Sequence, residues 1–492
     1  MKVHGYWTLI LCILILALVV PIDAQQSPPE IPDTPSGKLL NLLIEAFNSG
    51  EEEQWKSFIR SHWKEKEGMF ERRLEFFKEV YSDIGGIILY RIENSEDYSI
   101  SALLQAKSPC DLLVEWVVLI LEADTLPPHK LNLLSVRPGE EPGFEVPAGD
   151  LTEEQIIDFL DRYLDNLVSK DRFSGTVLIA KDGKPVYTRA FGLASKRYNI
   201  PNQLDTKFNL GSMNKMFTGV AIMQLVEQER VSLNDLVGKY LPDLPRSEIS
   251  KKVTIHHLLT HTSGMQDYWE EIFDSHWWEI KTVSQLAELI FDDTLLFEPG
   301  SDFHYSNSGP IVLGMIIEKV TGLDYFDYVR DYIYIPAGMI NSDCYEMDTP
   351  VPNLAIGYTK MNYDDSRNPE GKWRNNLFMH VVKGGPAGGG FSTVEDLLKF
   401  DIALRTNVLI SKESFDSLTT GKMKRGHDRM YAYLFQDRRV NDQRIVGHEG
   451  GAPGINANLD MFLDSGYTVA VMVNYDDAAS LVARKIEKLL TR

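Results

Sequence analysis

Residues 209–219 read NLGSMNKMFTG and run directly into VAIMQLVEQ. They set Ser212 three positions before Lys215, at the mouth of an apolar run. Positions i and i+3 share a helix face, so the two side chains meet if the helix begins near the serine. From Met216 to Val226 the run is apolar almost all round, the pattern of a helix enclosed by protein. A lysine at its start is desolvated, which favours the neutral amine, and a neutral amine beside a hydroxyl is a base beside a nucleophile. The spacing alone also suits a helix-capping serine with a lysine reaching out to water. Ser61 and Lys64 repeat it within EEEQWKSFIRSHWKEKE, a solvated amphipathic pattern in which the lysine stays hydrated and protonated. Context and partners therefore decide between the two readings.

An acylating serine needs a second proton carrier, oxyanion donors and groups that hold the substrate. The stretch FEPGSDFHYSNSGP, 297–310, puts Tyr305 and Asn307 in a polar loop ahead of the helical pattern IVLGMIIEKV. A phenol passes a proton when a neighbouring cation lowers its pKa, and an asparagine amide donates and accepts at once, which suits an ester or amide carbonyl. Taken alone, Tyr305 reads as a packed aromatic. In RIVGHEGGAPG, 444–454, an apolar strand becomes glycine-rich, permitting close approach of a ligand backbone. Its edge offers the Gly451 amide to an oxyanion beside the amide of Ser212. Glu449 points to the opposite face of a regular strand and is not counted as catalytic. His448 taken alone reads as a satisfied surface histidine.

These residues must be positioned by a larger frame. Thr152 and Gln155 form a capping box at the head of IIDFLDRYLDNLV, and SGTVLIAKDGKPVYTRAFG reads as two strands around an Asp182-Gly183 turn. The chain closes with ANLDMFLDSGYTVAVMVN and the helical pattern LVARKIEKLL. Both β-rich ends are expected in one antiparallel sheet, with the helical middle as a lobe beside it and a cleft between. Upstream, three helical patterns (KLLNLLIEAFN, EEEQWKSFIRSHW, MFERRLEFFKEVY) precede four strand-like runs, which predicts a small α+β unit over 36–137. Residues 138–150, rich in Pro, Gly and charge, read as a linker to a unit spanning 151–492.

Ser-x-x-Lys at 212–215, Tyr-x-Asn at 305–307 and His-x-Gly at 448–450, in this order, resemble the penicillin-recognising serine hydrolases. That family comprises class C β-lactamases, D-alanyl-D-alanine carboxypeptidases, D-aminopeptidases and related esterases. LLTHTSGM at 258–265 and GGGFSTVEDLLKF at 388–400 are similar to it as well. The resemblance implies an α+β, β-lactamase/transpeptidase-like domain, an antiparallel sheet flanked by helices plus a helical lobe. It implies Ser212 as acylated nucleophile, Lys215 and Tyr305 as proton carriers, and Asn307, His448 and Gly450 at the substrate. The amides of Ser212 and Gly451 would form the oxyanion hole. Lys-Thr-Gly or Lys-Ser-Gly is absent; Lys66, Lys181, Lys383 and Lys424 head Lys-x-Gly without the right company. In that position a lysine is permanently charged, whereas His448 is expected to be fractionally charged near neutrality. Peptidase or esterase chemistry is thus expected ahead of efficient β-lactam hydrolysis. The order of elements over 36–137 is similar to the nuclear-transport-factor-two-like cone.

Residues 1–24 carry Lys2, the apolar core LILCILILALVV and a terminal Ala24, and read as a secretory signal peptide, its core shorter than the roughly 20 residues that span a bilayer. The proline-rich stretch 25–35 reads as a tether, and nothing later resembles a membrane span. A secreted or periplasmic protein is expected. Cys110 and Cys344 read as independent buried residues rather than a bridge. No Cys-x-x-Cys or His-Glu-x-x-His spacing calls for a metal, and no cofactor is expected. The net charge of −21 disfavours nucleic-acid binding. GGPAGGG, 384–390, lacks the ending of a phosphate loop and reads as close-packed backbone beside the cleft, leading into a capping box from Ser392 to Glu395. The aromatic run YWEEIFDSHWW, 268–278, reads as packing of the helical lobe. Without Gly-x-Ser-x-Gly the α/β-hydrolase esterases are disfavoured. The expected activity is cleavage of a small amide or ester, a D-amino-acid peptide or carboxylic ester, through an acyl-enzyme on Ser212. The alternative is a penicillin-binding sensor, or a ligand binder, that does not turn over.

Overall fold

The computed structural model describes residues 29–108, 115–244, 247–268, 277–290, 294–362, 371–426 and 429–492. The leader read at 1–24 and Cys110 lie outside these residues. The chain divides into two compact units, one ending at Gly139 and the other beginning at Glu140.

In the first unit, helices α1 (Pro35–Asn48), α2 (Glu52–His62) and α3 (Phe70–Ile84) precede strands β1 (Ile87–Ser95), β2 (Ser99–Ala106), β3 (Trp116–Ala123) and β4 (Leu131–Pro138). The strands form an antiparallel meander in that order. Thr34 caps α1, accepting from the Gly37 amide, and proline takes the first helical turn. Leu43 and Phe47 of α1 and Phe77 of α3 meet Leu104, Val117 and Leu119 in an apolar interior. Ser61 ends up near the close of α2, and the Lys64 side chain is 54% exposed and paired with Asp124 at 2.8 Å. This second Ser-x-x-Lys is the solvated version of the motif.

The second unit opens with α4 (Glu153–Ser169), whose predicted capping box forms in full between Thr152 and Gln155. Strands β5 (Gly175–Lys181) and β6 (Lys184–Phe191) follow, joined through Asp182 and Gly183 at φ 51° and 75°, the left-handed pair of a tight hairpin. Helices α5 (Lys215–Glu227), α6 (Ser308–Thr321) and α7 (Val394–Arg405) belong to the middle of the chain. Strands β7 (Met423–Lys424), β8 (Arg429–Tyr431), β9 (Gln436–Val440), β10 (Gln443–Ala452), β11 (Ile455–Phe462) and β12 (Tyr467–Val473) lead to α8 (Ala478–Leu490). The eight strands form one antiparallel sheet in the order β7-β8-β9-β10-β11-β12-β5-β6, so β12 pairs with β5 and the two ends of the unit join inside one sheet.

Alternation along these strands separates two cores. Leu178, Ala180, Ala470, Met472, Leu459 and Met461 face α5 and the helical lobe. Val177, Ile179, Val469, Val471, Val473 and Phe462 face α4 and α8. A sheet covered on both faces needs apolar residues at nearly every position, which is why TVLIA and VAVMV read as continuous runs. Residues 140–150, read as linker, instead pack within this unit: Phe144 meets the Phe159 and Tyr163 rings and its carbonyl accepts from Lys485. The boundary is therefore sharper than the sequence suggests. The cap of α7 is Thr393 rather than Ser392: the Thr393 hydroxyl accepts from the Asp396 amide, while the Ser392 hydroxyl bonds the Ser342 hydroxyl and lies 3.3 Å from the Thr393 carbonyl oxygen.

Candidate active site

Chain direction changes sharply just before the nucleophile position. Gly211 takes φ 50°, and a Cβ there would come within 2.9 Å of the Gly451 nitrogen. A 3-10 turn, Gly211–Asn214, then feeds α5, in which every side chain from Lys215 to Leu225 is buried. The lobe-facing core around Met216, Phe217, Val220 and Ala221 is what holds Lys215 out of water.

The Lys215 amine lies 3.0 Å from the Ser212 hydroxyl, 2.6 Å from Asn307 Oδ1 and 2.5 Å from the Ala387 carbonyl oxygen. Both of the last two groups only accept. A neutral amine has two hydrogens and one lone pair, so donating to Asn307 and Ala387 leaves its lone pair for the Ser212 hydroxyl proton. Burial pushes the Lys215 pKa down to about 7, opposed by the negative charge of Asp267. The Tyr305 hydroxyl also bonds Ser212, and the Lys215 amine stands 5.0 Å from the centre of the Tyr305 ring. Sequence reasoning expects a nearby cation to lower this phenol. Instead burial raises it, more than the bond to Ser212 and the charge of Arg425 can offset, so the phenol keeps its proton. In this geometry the Lys215 amine is the group suited to accept a proton and the Tyr305 phenol the group suited to donate one.

Tyr305 and Asn307 are placed by the segment 258–267. Ser306 and Ser308 both donate to the Gln266 carbonyl, at 2.8 and 2.7 Å, and the Ser306 amide donates to His261 Nδ1. Asn307 occupies the cap position of α6 without capping it. Its amide is used sideways: Oδ1 accepts from Lys215, and Nδ2 donates to the two Asp267 oxygens at 3.2 and 2.9 Å. Nothing in the sequence pattern marks Asp267, which sits in an irregular loop without periodicity.

His448 is buried and does not line the cavity. Because His261 Nδ1 accepts from a backbone amide, its proton is on Nε2, which donates to Tyr431 at 3.0 Å. Tyr431 in turn donates to His448 Nε2 at 3.0 Å, and His448 Nδ1 donates to the Glu449 carbonyl. Burial, with the Lys215 charge second, pushes His448 down to about 3, so it is neutral where sequence reasoning expects fractional charge. Tyr431 stands in the apolar-looking run MYAYLF, which hides its polar task. Glu449 faces the other side of the sheet, beside Arg438 and Glu487.

Gly450 presses on the serine turn: a Cβ there would lie 1.9 Å from the Leu210 carbonyl oxygen and 2.8 Å from the Ser212 nitrogen. Gly451, one step on, lines the cavity with Ser212. The two backbone amides named as oxyanion donors thus meet at one junction. The cavity, about 280 Å³, opens over Ser212, Tyr305 and Asn307 and extends to Asp267, His380 and Phe391. The glycine run 384–390 forms one wall; a Cβ on Gly384 would lie 2.2 Å from Gly389, and one on Gly390 2.3 Å from Asn214 Oδ1. Tyr268 is buried against the cavity, whereas 269–276 of the aromatic run lie outside the described residues. Cys344 is buried and unbridged, and its thiol is pushed up to about 12 by burial. Among the described residues, no helix is long and apolar enough to cross a membrane.

Comparison with known proteins agrees with this architecture. The family model described as Beta-lactamase matches residues 160–491. Penicillin-binding protein 4* of Bacillus subtilis (strain 168) is 30% identical over 330 residues, covering 65% of this chain and 72% of that protein. A solved penicillin binding protein from Bacillus halodurans superposes with a TM-score of 0.61 at 30% identity, covering 67% of this chain and 99% of its own. A D-stereospecific amidohydrolase from Streptomyces sp. gives 0.57 at 27% identity, covering 67% and 97%.

Proposed function

This chain belongs to the beta-lactamase family of serine-hydrolase-like proteins and has the β-lactamase/transpeptidase-like fold, and from that premise we propose that it is a secreted serine hydrolase. Its substrate is a small amide or ester, cleaved through an acyl-enzyme on Ser212. The observation that carries this reading is the buried Lys215 amine, 3.0 Å from the Ser212 hydroxyl with its two hydrogens committed to carbonyls.

In the proposed cycle Ser212 Oγ attacks the substrate carbonyl carbon and its proton passes to Lys215. The developing oxyanion is held by the amides of Ser212 and Gly451. Tyr305 donates its proton to the departing nitrogen or oxygen as the carbonyl bond breaks, and the proton taken by Lys215 restores the phenol. Water then enters, gives a proton back along the same groups and releases the acid. Asn307 orients the amine. His448, Tyr431 and Gly450 fix the strand that carries Gly451. The leader at 1–24 would take the enzyme out of the cytoplasm.

Intact-mass spectrometry after treatment with a fluorophosphonate tests this. The expected result is one adduct, lost in Ser212→Ala, together with turnover of p-nitrophenyl esters or D-alanyl peptides. Undiminished labelling of Ser212→Ala would remove the assignment. A stable adduct without turnover of either substrate would make the protein a sensor.

A further inference from the structure

The face of the sheet covered by α8 holds a row of buried polar residues where a covered sheet calls for apolar ones. Along β11, Ala457, Leu459 and Met461 face the helical lobe, and Asn456, Asn458 and Asp460 alternate with them on the side of α8, all three buried. Asn458 and Asp460 belong to an ionic network. Asn458 Nδ2 donates to Asp460 Oδ2 at 2.8 Å, and Asp460 pairs at 2.8 Å with Arg438, which also reaches Glu487. Asn456 has other partners. A buried amide is costly unless its hydrogen bonds are met, and here Oδ1 accepts from the Ser480 amide at 2.8 Å. Its Nδ2 donates to the Gly450 carbonyl oxygen at 3.1 Å and stands 3.3 Å from the Ser480 hydroxyl.

Ser480 lies in the first turn of α8, where main-chain N–H groups have no partner within the helix, and Asp477 at the cap position makes no side-chain cap bond. Asn456 is thus a cap supplied from a strand. Its other end acts on the peptide between Gly450 and Gly451. That peptide is trans, so its carbonyl and its N–H point in opposite directions. With the carbonyl held by Asn456 on the β11 side, the Gly451 N–H is aimed away from β11, at the edge of β10 beyond Gly447, where pairing with β9 ends. The serine turn fills that edge: a Cβ on Gly211 would come within 2.9 Å of the Gly451 nitrogen. Two successive glycines leave this peptide plane with little intrinsic restraint. Asn456 supplies one from behind the sheet, without lining the cavity itself.

We propose that Asn456 is a positioning residue for the oxyanion hole: it fixes the plane of the Gly450–Gly451 peptide and links the first turn of α8 to the Gly451 N–H. The Ser480 amide donates to Asn456, Asn456 donates to the Gly450 carbonyl, and the Gly451 amide is left to donate to the oxyanion. Each amide in such a chain is a stronger donor for accepting from the one before it, and the chain starts at the partial positive charge of a helix N-terminus. The proposal deepens the Ser212 acyl-enzyme reading and rests on it, because the oxyanion forms only in that reaction.

The test labels the full chain with a fluorophosphonate, whose phosphoryl oxygen takes the oxyanion position. Two quantities are read: the labelling rate, and the phosphorus NMR shift of the adduct, first folded and then unfolded in denaturant. In the parent protein the two shifts should differ, because amide donors meet the phosphoryl oxygen only in the folded chain. Asn456→Leu should label about tenfold to a hundredfold more slowly, part of the loss that follows outright removal of an oxyanion donor, and its folded shift should move toward the unfolded value. Asn456→Asp keeps an acceptor for Ser480 and loses the hydrogens that serve Gly450, so it should behave alike; it decides if the leucine variant does not fold. Asn458→Leu, in the same buried row but without a bond to Gly450, should keep the parent shift. Slower labelling with an unmoved shift would make Asn456 a residue of stability alone and overturns the proposal. So does an unchanged rate in the Asn456 variants, an equal movement of the shift in Asn458→Leu, or coincident folded and unfolded shifts in the parent. Absence of labelling in the parent, or undiminished labelling of Ser212→Ala, overturns the acyl-enzyme reading instead.

Discussion

With its hydrogens spent on Asn307 and Ala387, the Lys215 amine has one direction in which to accept a proton, and protonation closes it. The neutral fraction rises with pH through about 7. Acylation should therefore rise about tenfold per pH unit below that value and level off above it, as measured by labelling rate against pH. His448, pushed down to about 3, contributes no limb in this range. Lys215→Arg keeps a cation that does not deprotonate and should cost about 10²- to 10⁴-fold in kcat/KM. Tyr305→Phe separates the two proton carriers in a different way. A phenol that holds its proton matters most when the leaving group needs one, so the variant should lose far more activity on an amide than on a p-nitrophenyl ester. Equal losses on both would return Tyr305 to the role of base. Ser212 and Lys215 stand out from their spacing and from the apolar run behind them, whereas Tyr305 stands out only through the resemblance of its Tyr-x-Asn to the family pattern. The direction of the Tyr305 shift was not legible, because burial outweighed the cation, and burial depends on which rings pack over the loop.

At the scale of elements, the sheet registers the two halves of the site against each other. β10 meets the serine turn through Gly450, with no room for a methyl group. Gly450→Ala should push strand and turn apart, costing about 1–3 kcal/mol in a denaturant melt and slowing labelling as well. Tyr431→Phe should cost a similar amount, about 1–3 kcal/mol, by leaving both His261 and His448 with an unmet hydrogen-bonding atom in the interior. Periodicity exposed α4, α5, α8 and the long strands because each buries a regular face. It was silent on Asp267 and His380, which stand in irregular segments, and it placed the α7 cap one residue early because Ser392 and Thr393 are both competent and tertiary contact with Ser342 chose between them.

Across the whole molecule, the same Ser-x-x-Lys spacing occurs in two environments and only one is enclosed. Lys64 reaches water and an aspartate, whereas Lys215 is fully buried. The spacing carries chemistry only where a core of this size surrounds it. The net charge of −21 acts at longer range. It should draw a cationic substrate and be screened as the Debye length falls from about 30 Å at 0.01 M salt to about 3 Å at 1 M. kcat/KM for phenylalanine p-nitroanilide should thus fall with added sodium chloride, while that for an uncharged p-nitrophenyl ester stays level. The pairing of β12 with β5 has a further consequence during biosynthesis. The serine leaves the ribosome more than two hundred residues ahead of Gly451, so a nascent polypeptide carries Ser212 for about half of translation without the strand that brings Gly451 to it. On the acyl-enzyme reading proposed above, acylation would start only once the closing strands dock, which would spare the unfinished chain and its neighbours from modification.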